Sequence, residues 1–131
     1  LPLAPALVTL EMDLPALRMF ALEKRDFLVR LLDNAVLREH ESFTELLRSV
    51  FHLAEELAYR EDVSALPPSD LGHLAFDIRR AYMLLVSEWL DYMKHLKTCF
   101  PYLFSLALRT NPFDRQAGVV VREEKTATGE S

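Results

Sequence analysis

The sequence has little cysteine, little glycine and no excess of positive charge, and each shortage excludes a class of protein. Cys99 is the only cysteine among 131 residues, so the chain has no internal disulfide and no cysteine-rich metal cluster. Three glycines do not supply a glycine-rich phosphate-binding loop. A formal net charge of −5 lacks the basic surface of a nucleic-acid-binding protein, so we expect no nucleic-acid partner.

Long hydrophobic runs are also missing, although 50% of the residues are hydrophobic. A membrane-spanning helix needs about 20 consecutive apolar residues, and the runs here are far shorter. The shortage of glycine and of alternating apolar and polar residues speaks against a sheet. These features together predict a single all-α domain. The lone cysteine is typical of a reducing compartment, so we expect the domain in the cytoplasm.

Apolar residues at three- and four-residue intervals predict three long helices. Asp13 is a good cap for the first helix, and Pro15 suits its first turn. Ser42 and Glu45 form a capping box at the start of the second helix. The predicted helices cover residues 13 to about 40, 42 to about 60, and 69 or 70 to about 97.

The third predicted helix is the most apolar of the three. Residues 81–86 are apolar on every side, and a helix of this kind must be covered on every side. We therefore place it at the centre of the domain. A short fourth helix, from Pro101 to about Arg109, has almost no polar face. These elements predict an antiparallel helical bundle of three long helices plus a short apolar fourth helix.

The two ends of the chain differ from this bundle, which we assign to residues 13–112. Residues 1–12 are predicted to be a linker, since residues 1–10 carry no charge and include two prolines. From the residues alone we favour packing of this linker on the core over a position beside a membrane anchor. Residues 113–131 are predicted to be an extended or disordered tail, in which residues 119–121 form a short strand or an extended arm.

Three histidine–carboxylate pairs are spaced four residues apart, which places each pair on one helix face. They are His52 with Glu56, His73 with Asp77, and Asp91 with His95. Such pairs are usually solvated neighbours, and Asp70, close to His73 in the sequence, is expected to cap the third helix. A metal or small-ligand site built from two of these pairs is the alternative. Because metal sites need three or four converging ligands, we predict no metal ligand and no cofactor.

Five aromatic residues near the fourth helix are the most informative side chains. This aromatic set consists of Trp89, Tyr92, Phe100, Tyr102 and Phe104. As core residues they would seal the third helix against the fourth, which we favour. As interface residues they would anchor a homo-oligomer or a protein partner, because aromatic residues with few charges form interface centres. Nucleophile motifs are missing from the sequence, so we predict no catalytic residue.

Five segments carry a resemblance to a known family. They are HLAEEL at 52–57, LPPSDLGH at 66–73, EWLDYMKHLK at 88–97, PYLFS at 101–105 and RTNPFD at 109–114. They resemble a family of uncharacterised prokaryotic membrane proteins, in which a helical cytoplasmic region follows predicted membrane spans. The resemblance implies no activity or site residue. It implies that residues 1–10 follow a membrane anchor. Together with the charge-free N-terminus and the apolar fourth helix, it leads us to predict a non-enzymatic interaction or regulatory domain in the cytoplasm, at the inner face of the membrane.

Overall fold

The structure is a computed structural model that describes residues 13–114 and 117–121. Its five helices are α1 (Leu14–Asp33), α2 (Ala35–Arg38), α3 (Glu41–Ala58), α4 (Pro68–Cys99) and α5 (Pro101–Arg109). The described ranges contain no strand, which confirms the all-α prediction. The predicted linker over 1–12 and most of the predicted tail lie outside the described residues. Residues 119–121 are described and are not a strand, so that alternative is wrong.

The first predicted helix is divided at Asn34. Asp13 caps α1 as predicted, because its side chain accepts a hydrogen bond from the backbone N–H of Ala16 at 3.1 Å. At Asn34 the backbone is extended, and the side-chain oxygen accepts hydrogen bonds from Val36 N and Leu37 N. One continuous helix to residue 40 was therefore the wrong prediction, since Asn34 ends α1 and caps α2.

The predicted capping box at the start of α3 is also wrong. The helix begins at Glu41, and the capping position is occupied by His40. The His40 side chain forms no capping hydrogen bond with any described residue. Ser42 therefore lies within the first turn rather than before it. The carboxylate of Glu41 in that turn is favourable for the helix dipole.

The chain forms two compact units, Leu1–Glu88 and Trp89–Ser131, and α4 contributes residues to both. In the first unit α1 and α3 are antiparallel: Arg18 Nε donates hydrogen bonds to the carbonyl oxygens of Leu57 and Arg60, at 3.0 and 2.7 Å. Arg25 also pairs with Glu55 at 2.8 Å. The buried apolar cluster of this unit consists of Leu14, Ala21, Leu28, Leu47, Leu53, Ala54, Leu57, Val63, Leu74, Ile78 and Ala81.

The second unit contains the end of α4, α5 and the chain that follows. The Trp89 ring lies 5.9 Å from the Tyr92 ring and 6.1 Å from the Phe113 ring. After α5 the chain turns back, and a guanidinium nitrogen of Arg109 donates a hydrogen bond to the carbonyl oxygen of Val119 at 2.9 Å. The bounds predicted for the fourth helix are confirmed. None of the helices in the described part is long and apolar enough to cross a membrane.

The prediction that α4 is buried on every side is wrong. Leu74, Ile78 and Ala81 are buried, but Met83 is 49% exposed and Leu85 is exposed as well. The face of the helix explains the difference. Leu74, Ile78 and Ala81 lie on the side of α4 that packs on the core, whereas Met83 and Leu85 lie on other sides of the helix. The arrangement of all the helices as one antiparallel bundle stays a prediction.

Leu57 and Leu74, both fully buried, mark the point where α3 packs on α4. We expect Leu57→Ala to lower the free energy of unfolding by about 2–5 kcal/mol, because it removes apolar contacts and leaves a cavity. Leu90→Ala, on an exposed part of α4, is the matched control and should change it by about 0.5 kcal/mol or less. Urea denaturation followed by circular dichroism measures both. Equal losses would contradict this description of the core.

Candidate metal centre

Two of the three histidine–carboxylate pairs meet where α3 packs against α4. His52 and Glu56 lie one turn apart on α3, and His73 and Asp77 lie one turn apart on α4, so each pair faces one direction. The two helices are antiparallel here, since Glu56 contacts His73 and His52 contacts Asp77. We call these four residues the His/carboxylate cluster.

Nitrogen and oxygen atoms alternate around the His/carboxylate cluster. Glu56 Oε1 lies 3.5 Å from His52 Nε2 and 3.3 Å from His73 Nε2. Asp77 Oδ2 lies 3.5 Å from His52 Nε2 and 3.4 Å from His73 Nε2. A tetrahedral zinc ion with ligand distances of about 2.0–2.1 Å requires ligand–ligand distances of about 3.3–3.4 Å. Both carboxylates thus lie at suitable distances from the histidines. Three of the residues, His52, Glu56 and Asp77, form a set whose ligand atoms all lie within 4.8 Å of one another, and His73 lies outside that set.

The carboxylate of Asp77 is the buried member of the cluster. Asp77 is only 7% exposed. Its Oδ2 atom is shut off from solvent and accepts no hydrogen bond from the described residues, although the two imidazoles face it. A buried charge without close compensation is costly. A cation bound between the four ligand atoms would compensate it.

Arg60 binds the Glu56 carboxylate from the side opposite the two histidines. Its guanidinium donates a hydrogen bond to Glu56 Oε2 at 2.8 Å and another to the Glu56 carbonyl oxygen. The same group binds both carboxylate oxygens of Asp70, at 2.6 and 2.7 Å. Asp70 was predicted to cap the helix, and this was wrong because α4 begins at Pro68 and Asp70 lies inside its first turn. The spacing of Glu56 and Arg60 signals their pairing, whereas no sequence pattern signals the contact with Asp70.

These contacts keep the acidic groups ionised. The hydrogen bond from Arg60 holds the pKa of the Glu56 carboxyl below its ordinary value, a hydrogen bond from His73 adds to this, and burial opposes it. The hydrogen bond from Arg60 likewise lowers the pKa of Asp70. In return, Asp70 and Glu56 raise the pKa of the Arg60 guanidinium. Glu56 is therefore in the deprotonated form that a metal ligand requires.

The cluster is open to solvent on the histidine side. The side chains of His52 and His73 are 56% and 50% exposed. Beside them lies a recess that is bounded by His52, Glu55, Glu56, Tyr59 and Arg60. An ion from solution therefore has a path to the four ligand atoms.

The third pair, Asp91 with His95, belongs to the second unit and is not a member of the cluster. The His95 ring lies instead at 5.8 Å from the Phe100 ring, edge to face. The sequence identified the two pairs that form the cluster. It did not predict that they meet, because the meeting depends on the register of α3 against α4.

The aromatic set is more exposed than a sealed core would be. Tyr102 is 92% exposed, and Tyr92 and Phe100 are also exposed. Trp89 and Phe104 are half-buried. The preference for a core role is therefore wrong for the three exposed members, and the interface role stays a prediction.

The ion pair between Arg60 and Asp70 makes stability depend on pH. Because the pKa of Asp70 is lowered from its ordinary value of about 4, the ionised carboxylate stabilises the fold above that value. This stabilisation is lost as the pH falls through the lowered pKa. We expect Asp70→Asn to lower the free energy of unfolding by about 1 kcal/mol at about pH 7. At a pH below the lowered pKa of Asp70, where the wild-type carboxyl is protonated, the variant and the wild type should be equally stable.

Chemical denaturation at both pH values measures this effect. Glu45→Gln is the control, since Glu45 and Arg80 form a looser and exposed pair at 3.7 Å. This control should differ little from the wild type at either pH. A deficit of the Asp70 variant that is the same at both pH values would show that the charge of Asp70 is irrelevant.

Comparison with known proteins identifies the family. The model of the family described as "Uncharacterized protein MJ1433, C-terminal helical domain" matches residues 5–109. "Uncharacterized protein MJ1433" of Methanocaldococcus jannaschii is 52% identical over 115 residues, which cover 88% of this chain and 47% of the relative. The chain thus spans about half the length of this relative, and no solved structure matches it. The chain belongs to the family of the MJ1433 C-terminal helical domain.

Proposed function

We propose that this domain binds one divalent transition-metal ion between α3 and α4, with His52, Glu56 and Asp77 as ligands and His73 as a fourth that moves in when the ion binds. The observation that carries the proposal is the set of three ligand atoms within 4.8 Å of one another, which includes the buried Asp77 carboxylate. Imidazole nitrogen suits zinc, copper, iron and nickel ions, and the two carboxylates neutralise the double positive charge.

The proposed role of the ion is to hold the two helices together. With His73 moved in as the fourth ligand, the ion would have a tetrahedral shell of four protein ligands, which is typical of structural rather than catalytic zinc. The ligands come in equal number from α3 and from the first part of α4, so binding and folding of the first unit are coupled. In this proposal the domain is not an enzyme, and it depends on a metal ion for its stability.

Metal content tests the proposal directly. The 131-residue chain is purified without added metal, equilibrated with Zn²⁺, dialysed and measured by elemental analysis. We expect about one ion per chain, and loss of that ion in His73→Ala and Asp77→Asn, because each substitution removes one of four ligands. Asp91→Asn and His95→Ala are matched controls with the same residue types and spacing, and they should keep the ion.

Thermal unfolding adds a second measurement. Zn²⁺ should raise the melting temperature of the wild-type chain and of the controls, since a ligand that binds only the folded state stabilises it. It should leave that of His73→Ala unchanged. If no stoichiometric metal is found, and zinc acts equally on the wild type and on His73→Ala, the metal proposal is overturned.

A second candidate function is self-association through the second unit. None of the residues of α5, all of which the structure describes, is buried. The helix carries Arg109 as its only charged residue. A large apolar surface exposed on a monomer marks an interaction site. We take a second copy of the chain as the partner, because most soluble oligomers are symmetric homo-oligomers.

Mass measurement in solution tests self-association. We expect a dimer at high concentration, and at least a roughly tenfold weaker dimer for Tyr102→Ser, since exposed aromatic residues anchor such interfaces. Tyr59→Ser, at an exposed tyrosine of the first unit, is the control and should dimerise as the wild type does. A strict monomer at high concentration would remove this candidate.

A membrane context is the remaining proposal and concerns the longer protein. It is supported by the family resemblance, and the relative is long enough to hold a further part, since this chain covers 47% of it. In this proposal the longer protein places the domain at the inner face of the cell membrane. The test is the sequence of the part of the relative that this chain does not cover. If that part contains no membrane-spanning segment, the membrane proposal is contradicted.

A further inference from the structure

We infer that Arg60 determines which metal ion the His/carboxylate cluster accepts, by occupying the second oxygen of Glu56. The inference rests on the proposed metal function. With Oε2 held by Arg60, Glu56 offers a single oxygen. His52, Glu56 and Asp77 then supply one nitrogen and two oxygens, and His73, once moved in, supplies the second nitrogen of a four-coordinate ion. The structure thus favours Zn²⁺ over Mn²⁺, Mg²⁺ and Ca²⁺, which take six or more ligands.

The two oxygens of Glu56 have separate partners. Oε1 faces the imidazoles of His52 and His73, at 3.5 and 3.3 Å. Oε2 accepts a hydrogen bond from Arg60 at 2.8 Å. A carboxylate that binds a metal through both oxygens, as is common for Ca²⁺, must turn both toward the ion. In Glu56 this would break the bond to Arg60.

Arg60 is itself fixed in place. Its guanidinium binds Asp70 through two parallel hydrogen bonds, of 2.6 and 2.7 Å, and this forked geometry is both strong and directional. A further hydrogen bond goes to the backbone oxygen of Glu56. The Arg60 side chain is mostly buried. Arg60 therefore cannot follow Glu56 if that side chain rotates.

The donor set agrees with this selectivity. Mg²⁺ and Ca²⁺ prefer oxygen ligands throughout, and half of the ligand atoms here are imidazole nitrogens. Arg60 contacts Glu56 Oε2, on the side of the carboxylate away from the two imidazoles, and acts only through Glu56, so it is a positioning residue. Groups that orient metal ligands in this way typically change the metal affinity by about 10–100-fold when they are removed.

The experiment compares Arg60→Gln and Asp70→Asn with the wild type in the 131-residue chain. Arg80→Gln is the control, because Arg80 forms an exposed pair on the same helix as two of the ligands. Affinities for Zn²⁺ and Mn²⁺ are measured by competition with a chelator. The visible absorption of the Co²⁺ complex reports the coordination number, since four-coordinate cobalt absorbs far more strongly than six-coordinate cobalt.

We expect both variants to lose about 10–100-fold in Zn²⁺ affinity, with a smaller change for Mn²⁺ and with weaker cobalt bands. The control should match the wild type. If Arg60→Gln does not fold, Asp70→Asn carries the test, because asparagine has nearly the shape of aspartate and loosens only the fork that holds Arg60.

Two failures are distinguishable. A wild-type chain that binds no metal overturns the proposed function itself. A wild-type chain that binds four-coordinate cobalt, together with variants that keep the same cobalt spectrum and the same ratio of Zn²⁺ to Mn²⁺ affinity, overturns only the role of Arg60. A merely structural role of Arg60 predicts that second outcome, because it would weaken both metals alike.

Discussion

The antiparallel packing of α3 against the first part of α4 is the constraint on which the candidate metal centre depends. Leu57 and Leu74, which are fully buried, lie in the shared core and help to set the register of the two helices. In that register the His52–Glu56 pair on α3 faces the His73–Asp77 pair on α4. A shift of either helix by one residue would rotate its pair by about 100° away from the other. The apolar core therefore aligns the polar site.

The charge balance of the cluster depends on the same packing. Asp77 lies on the buried stripe of α4, between buried apolar neighbours, where its carboxylate is shielded from water. Glu56, on the facing helix, forms an ion pair with Arg60. Arg60 in turn joins the end of α3 to the first turn of α4 through Asp70. One arginine thus joins the two helices and holds one carboxylate oxygen of Glu56. Asp77 instead faces the imidazoles of His52 and His73, at 3.5 and 3.4 Å.

The faces of α4 differ in burial. Leu74, Ile78 and Ala81 belong to the core of the first unit, whereas Met83, Leu85 and Leu90 are exposed, as is the apolar side of α5. A large exposed apolar surface often marks an interaction site. The chain belongs to the MJ1433 C-terminal helical domain family and spans about half the length of the longer relative.

The sequence alone determined the helical class, the bounds of α5 and the three histidine–carboxylate pairs, because periodicity and spacing are local properties of the chain. It did not determine the break at Asn34, where capping by one side chain outweighed a continuous apolar pattern. It also overstated the burial of α4. An apolar side of a helix makes burial favourable, but the sequence does not show whether another element packs on that side. Only the tertiary structure decided that the His52–Glu56 and His73–Asp77 pairs meet and that Arg60 binds Asp70. Contacts between separate helices depend on the register of those helices, which no local pattern encodes.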